Sequence, residues 1–187
     1  MAPVATALVH HPVRDRNGAI VTTAITNLDV HDIARSSRTF DVERFYVVSP
    51  IAAQRAIVER ILDHWREGEG ATRLPERGDA LERVEPVVSL EEAILDLERR
   101  HGRRPVVVAT SARPPTDRAT VSFATLRASL QASGTPHLLV MGTGHGLADR
   151  ILAEADLVLE PISGRDGYNH LSVRGATAIL LDRLLGR

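Results

Sequence analysis

The sequence predicts an α/β fold: one domain over residues 1–187, built on a mostly parallel six-stranded sheet with helices on both faces. Three observations carry this. Short β-branched runs alternate with helical periodicity nearly throughout the chain. Val106-Val107-Val108-Ala109 is apolar at every position, as expected of a parallel strand buried on both faces. The strand–helix units number six in one chain, with no internal repeat and no break in composition, the pattern of a layered α/β domain.

The elements follow in order. Val4 to Val9 reads as a strand. Residues 12–26 form a hairpin-like excursion, with the Arg14-Asp15-Arg16-Asn17-Gly18 turn ahead of an extended run from Ile20 to Thr26. Asp29 to Phe40 is a helix and Arg44 to Val48 a strand. Ser49-Pro50 reads as an N-cap followed by proline at the first helical position, after which Ile57, Val58, Ile61, Leu62 and Trp65 fall at helical spacing. Gly68 to Gly78, with Pro75, reads as a polar loop. Val84 to Val88 is a strand, and Ser89 with Glu92 forms a capping box for a helix that buries Leu90, Ile94 and Leu97 and ends at Gly102. A loop with Pro114 and Pro115 precedes a helix carrying Phe123, Leu126 and Leu130, stopped by Gly134. His137 to Met141 is a strand, Leu147 to Glu154 a helix, Leu157 to Glu160 a strand, and Leu171 to Leu185 the last helix.

Composition removes whole classes of function. A chain of 187 residues, 43% hydrophobic and 25% charged, has room for a real core. No run approaches the roughly 18 to 20 apolar residues of a membrane span, and Met1 to His11 lacks the pattern of a secretory signal. The expected location is therefore cytoplasmic, with no membrane partner. Without cysteine there is no disulfide framework, thiolate metal site or catalytic thiol. Every basic residue is arginine, which excludes a P-loop or Schiff-base lysine. A net charge of -1 gives no global pull toward nucleic acid. His31, His145 and His170 fall in candidate loops, but no two-histidine helical spacing supports a metal, and none is expected. A Gly-x-Ser-x-Gly elbow is absent, which argues against a serine hydrolase.

In open α/β sheets, ligands bind beyond the carboxyl ends of strands. Three loops qualify: Thr110-Ser111-Ala112; Met141-Gly142-Thr143-Gly144-His145-Gly146-Leu147; and the stretch from Pro161 to Ser172. A glycine loop is either a tight strand-to-helix turn or a place where backbone approaches a ligand. Glu160, placed like the ribose-binding acid of a dinucleotide fold, does not fit that role, because too little chain follows for the rest of such a domain.

The late glycine loop paired with Tyr168-Asn169-His170-Leu171-Ser172-Val173-Arg174-Gly175-Ala176 resembles the SPOUT methyltransferases. The stretch Asp29-Val30-His31-Asp32-Ile33-Ala34-Arg35 resembles that family's first motif, with aspartate and histidine where asparagine and glycine are usual. The resemblance is to a small stand-alone bacterial group of RNA methyltransferases, and it covers nearly the whole chain. It implies a C-terminal trefoil knot, S-adenosylmethionine as methyl donor, S-adenosylhomocysteine as product, a homodimer, and tRNA or rRNA as substrate, with no DNA expected.

The same resemblance implies the roles. Gly142, Ile162 and Leu171 would wall the adenine of the donor, with Thr110, Gly144 and Ser172 close by. Arg35 would orient a phosphate or activate the nucleophile, Arg38 would contact substrate, and Asp166 would take the proton. Tyr168 and Asn169 would stack on or hydrogen-bond a base, unless they only shape the entry to the last helix. The competing classes are a non-catalytic dimeric module that binds the donor or RNA, and a methyltransferase of a small molecule.

Overall fold

The structure, a computed structural model, describes residues 1–67, 74–113, 116, 118–166 and 168–187. Among them run β1 (Val4–Val9), β2 (Val13–Arg14), β3 (Ile20–Val21), α1 (Asn27–Thr39), β4 (Arg44–Val48), α2 (Ala52–Arg66), α3 (Pro75–Leu81), β5 (Val84–Val87), α4 (Leu90–His101), β6 (Val106–Ala109), α5 (Phe123–Ala132), β7 (His137–Gly142), α6 (Asp149–Glu154), β8 (Leu157–Val158) and α7 (Val173–Leu185). The main sheet has six strands in the order β5-β4-β1-β7-β6-β8, and every pairing in it is parallel.

Strand alternation divides the core in two. Val4, Leu8, Phe45, Val47, Val108 and Leu139 face α1, α2, α3, α5 and α7. Ala5, Ala7, Val9, Tyr46, Val107 and Leu138 face α4 and α6. Both faces are covered, which is why the strands read as continuous apolar runs rather than alternating ones.

Helix starts follow local chemistry. Thr26, Ser89, Ser122 and Ser172 each accept a backbone N–H of the first turn, at α1, α4, α5 and α7 respectively. At α4 the box closes one residue early, since Glu92 accepts the N–H of Val88 at 2.7 Å. Gly102 ends α4 at φ 67, a left-handed cap.

Several boundaries differ from the sequence expectation. Ser49 is buried and continues the β4 edge, its N–H donating to Val87 O, so α2 begins at Ala52 behind Ile51 with no side-chain cap. Within the expected loop from Gly68 to Gly78, Pro75 instead starts α3, because a proline at the first helical position lacks only a donor the helix would not use. Residues 68–73 of that loop, and Pro114 and Pro115, lie outside the described residues. Leu147 makes an isolated bridge with Val13, which delays α6 to Asp149. The excursion is a hairpin, but only Val13–Arg14 and Ile20–Val21 pair. Among the described residues, no helix is long and apolar enough to cross a membrane.

One core polar group has a pH consequence. His10, at the end of β1, is fully buried, and burial pushes its imidazole down to about 4 against the opposing pull of Asp29. The folded state therefore favours neutral imidazole, while the unfolded chain protonates near 6.5. That stability is fully present above pH 6.5 and is lost as pH falls toward 4. Burial lowers His31 and His137 in the same direction. Urea unfolding at pH 7 and pH 5 should show a loss of about 2 kcal/mol from His10 alone. His10→Asn should flatten the dependence; an unchanged slope would mean that His10 is not held neutral.

Candidate functional site

Because the sheet is parallel, the loops after β1, β6, β7 and β8 leave from one edge. β8 lies at the rim of the sheet, yet α7 packs against α1, α5 and β7. The chain from Leu159 to Ser172 must therefore cross back over the ends of β6 and β7. Arg174 secures the arrival: its Nη1 donates to Asp29 Oδ1 at 3.1 Å, and its Nε lies 3.4 Å from Asp32 Oδ2. Thr177 is buried beside Met141, its Oγ1 3.5 Å from the sulfur.

This crossing leaves a cleft of about 340 Å³ between two loops, within the lower range of small-molecule sites. Ala112 and Arg113 line one side; Pro161, Ser163, Gly164, Asn169 and His170 line the other. Asn169 Nδ2 donates to Ala112 O at 2.6 Å and clasps the loops together. Gly164 is closely approached, since a Cβ there would stand 3.1 Å from Tyr168 O and the loop would have to give to accept it.

The residues expected from sequence divide into groups. Thr110 directly follows β6, its N–H and hydroxyl both donating to Val140 O. Ile162 is half-buried against the core beside the cleft. Leu171 is exposed, and Ser172 caps α7. Asn169 lines the cleft; Tyr168 is 70% exposed and lies edge-on to His170. Asp166 does not line the cleft, and its Oδ1 accepts the N–H of Tyr168 at 3.1 Å. Arg35 and Arg38 stand apart, about 12 Å and more along α1 from its first residue. Arg38 pairs with Asp79 of α3 at 2.6 Å, and Arg35 shares the surroundings of His31 with Arg77 and His64.

The glycine loop is filled by protein. A Cβ on Gly142 would stand 2.6 Å from Leu147 N, and one on Gly144 would stand 2.9 Å from Arg14 O. Arg14 N–H donates to Gly146 O and His145 N–H to Arg14 O, both at 2.9 Å. Arg14 also pairs with Asp149 at 2.7 Å. Thr23 and Thr143 hydroxyls meet directly, and His10 Nδ1 lies 3.1 Å from the same Thr23 oxygen. The hairpin is thus seated on the loop.

Sequence reasoning missed Arg113, Arg174, His10 and Thr23 as parts of this edge, and weighed His170 only as a metal ligand. Asp29 and Asp32, three apart on one helix face, were the available signal for a basic partner such as Arg174. Among the described residues, no group of three or more acidic or histidine side chains fits a metal ion.

A family model described as SAM-dependent RNA methyltransferase matches residues 3–186. A tRNA (guanine-N(1)-)-methyltransferase of Oleidesulfovibrio alaskensis is 47% identical over 180 residues, 96% of this chain but 41% of that relative. An uncharacterized protein of Aquifex aeolicus is 42% identical over 181 residues, 97% of this chain and 87% of its own length. The chain thus spans about two fifths of the Oleidesulfovibrio relative's length. Among solved structures, TrmJ from Z. mobilis superposes with a TM-score of 0.63 at 13% identity, over 98% of this chain and 68% of that one. An AdoMet-bound rRNA methyltransferase from Sinorhizobium meliloti gives 0.56 at 16% identity, over 97% and 55%. At such identities these two establish the fold.

The seating of the hairpin is testable with matched glycines. Gly102 and Gly144 have similar left-handed φ, 67° and 61°, but only at Gly144 would a Cβ meet other atoms within 4 Å. Gly102→Ala should cost about 1 kcal/mol from backbone strain, and Gly144→Ala about 1 kcal/mol or more beyond that. Urea denaturation of the two variants compares them; equal losses would mean that the hairpin does not press on the loop.

Proposed function

Since this chain belongs to the SAM-dependent RNA methyltransferase family, we propose that it transfers a methyl group from S-adenosylmethionine to a nitrogen or oxygen of an RNA. The single observation that carries this reading is the cleft at the carboxyl edge, formed where the chain returns from β8 to α1. Its size suits a nucleoside-sized ligand. Ala112, Ser163 and Gly164 let main chain approach a base edge, with Ile162 as apolar backing. Thr110, Leu171 and Ser172 flank it. The donor would supply an electrophilic methyl group; these residues bind and orient it.

Gly142 and Gly144 contribute indirectly in this reading. Their lack of side chains shapes the turn beside β7 and seats the hairpin, so they support the cleft rather than wall it. Residues 160–172 cross back over the sheet edge, which supports the trefoil knot that the family resemblance implies. The single domain, with the hairpin as an addition to it, is part of the same proposal.

A homodimer suits the surface. Leu28 and Leu171 are large, apolar and exposed, at the starts of two helices that pack together, and Tyr168 is exposed just ahead of α7. Burying them against a second copy would remove apolar surface from water. Within one chain Arg35 stands away from the cleft, which by itself favours a donor-binding module without catalysis. A homodimer in which one copy's α1 bordered the other's cleft would restore a role for Arg35 and Arg38.

For the substrate, Arg16 on the hairpin, Arg113 in the cleft and Arg165 on the crossing loop offer phosphate contacts; Arg14 is engaged by Asp149. The reading extends to tRNA or rRNA in the cytoplasm. The guanine N1 position named for the Oleidesulfovibrio relative belongs to a chain more than twice this length, so the methylated atom is not carried over.

Mass spectrometry of nucleosides from tRNA and rRNA, in cells with and without the gene, tests the function. One methylated nucleoside should disappear without the gene and return with the wild-type copy. A copy carrying Gly164→Val, whose side chain would crowd the crossing loop, should restore little of it. Identical nucleoside profiles would exclude RNA methylation and leave the non-catalytic module or a methyltransferase of a small molecule.

A further inference from the structure

We propose that His170 accepts the proton released by the substrate atom as it is methylated; this rests on the reading of the chain as an RNA methyltransferase. An N–H nitrogen or a hydroxyl that forms a bond to carbon must shed its proton to end neutral, and the proposal applies to such a substrate atom. The nucleophile's electron pair forms the new bond, and the pair of the broken sulfur–carbon bond stays with sulfur. The proton passes to the imidazole and from there to water. Among the described residues lining the cleft, His170 alone carries an imidazole, a side chain that can serve as a general base. The others offer an amide, a hydroxyl, a guanidinium, or only apolar groups and backbone.

The position of His170 is held from both sides. Immediately before it, Asn169 is clasped to Ala112 O at 2.6 Å. Two residues after it, Ser172 accepts the N–H of Gly175 at 3.2 Å and starts α7, which Arg174 ties to Asp29 of α1. The Tyr168 ring stands edge-on to the imidazole, with centroids 5.3 Å apart at 60°. Arg113 faces it from the opposite loop, and Arg165, Asp166 and Tyr168 precede it on its own. Asp166 is the weaker candidate, because it lies off the cleft and one of its oxygens is engaged by the Tyr168 N–H. The cleft thus pairs a proton acceptor with a guanidinium that suits a neighbouring phosphate.

The test uses purified full-length protein, radiolabelled S-adenosylmethionine and total RNA from cells lacking the gene. Affinity for S-adenosylhomocysteine is measured alongside by calorimetry. His170→Ala and His170→Gln should each lower methyl incorporation by about 100-fold or more, with S-adenosylhomocysteine affinity within about threefold of wild type. Added imidazole should restore part of the His170→Ala rate, which a purely structural loss would not allow. Wild-type incorporation by His170→Gln would overturn the proposal, since glutamine keeps a hydrogen bond but takes up no proton. An active His170→Gln beside an inactive Asp166→Asn would move the role to Asp166. A wild-type protein that binds S-adenosylhomocysteine yet methylates nothing in that RNA pool would overturn the function itself, and this proposal with it.

Discussion

The return of the chain from β8 to α1 is the constraint on which the rest of the structure depends. β8 closes one rim of the sheet, three strands away from β1. The last helix nevertheless packs on the first, so the connecting segment has no route except over the sheet edge. Arg174 makes that arrival specific by bridging Asp29 and Asp32 on α1. Asp29 is sheltered while Asp32 and Arg174 are partly exposed, so removing Arg174 would leave the Asp29 carboxylate poorly solvated. The cleft is the space left beneath the crossing, and Asn169 fixes its width.

A second coupling joins the hairpin to the loop after β7. Parallel sheets leave such loops short of partners, and here the hairpin supplies them through main-chain bonds, the Arg14–Asp149 pair and the contact of Thr23 with Thr143. The buried imidazole of His10 sits behind this contact and stays neutral. Glycines that look from sequence like a ligand cradle are therefore required first by protein packing. The two demands are compatible, because a rigid turn beside β7 keeps the neighbouring cleft in shape.

Most of the fold was legible in the sequence. Strand runs such as Val4–Val9 and Arg44–Val48 could be read because parallel strands buried on both faces stay apolar throughout. The Ser89 cap and the Gly102 stop were readable because capping chemistry is local. Pro75 and Ser49-Pro50 misled for the same local reason: proline signals a loop as readily as a helix start, and tertiary pairing of Ser49 with Val87 decided the second case. The candidate site was legible only in outline. Sequence located the three loops, but not that Gly142 and Gly144 face protein, nor that Arg38 is engaged by Asp79. The contact at Gly144 is with Arg14 and that of Arg38 is with Asp79, 41 positions away, which no local pattern encodes. At Gly142 the partner is the nearby Leu147, but the turn that brings it close is not read from composition. His170 was noticed, but only the crossing of the loop places it in the cleft.

The central claim is that the methyl donor sits beneath the crossing loop. Hydrogen–deuterium exchange with and without S-adenosylhomocysteine addresses it most directly, because amide protection reports where a ligand orders the backbone. The account predicts slowed exchange in residues 110–113, in 161–172 and in the first turn of α7, with α2 and α3 unchanged. Protection confined to α1, α2 and α3 around Arg35 and Trp65, with the crossing loop unaffected, would contradict it.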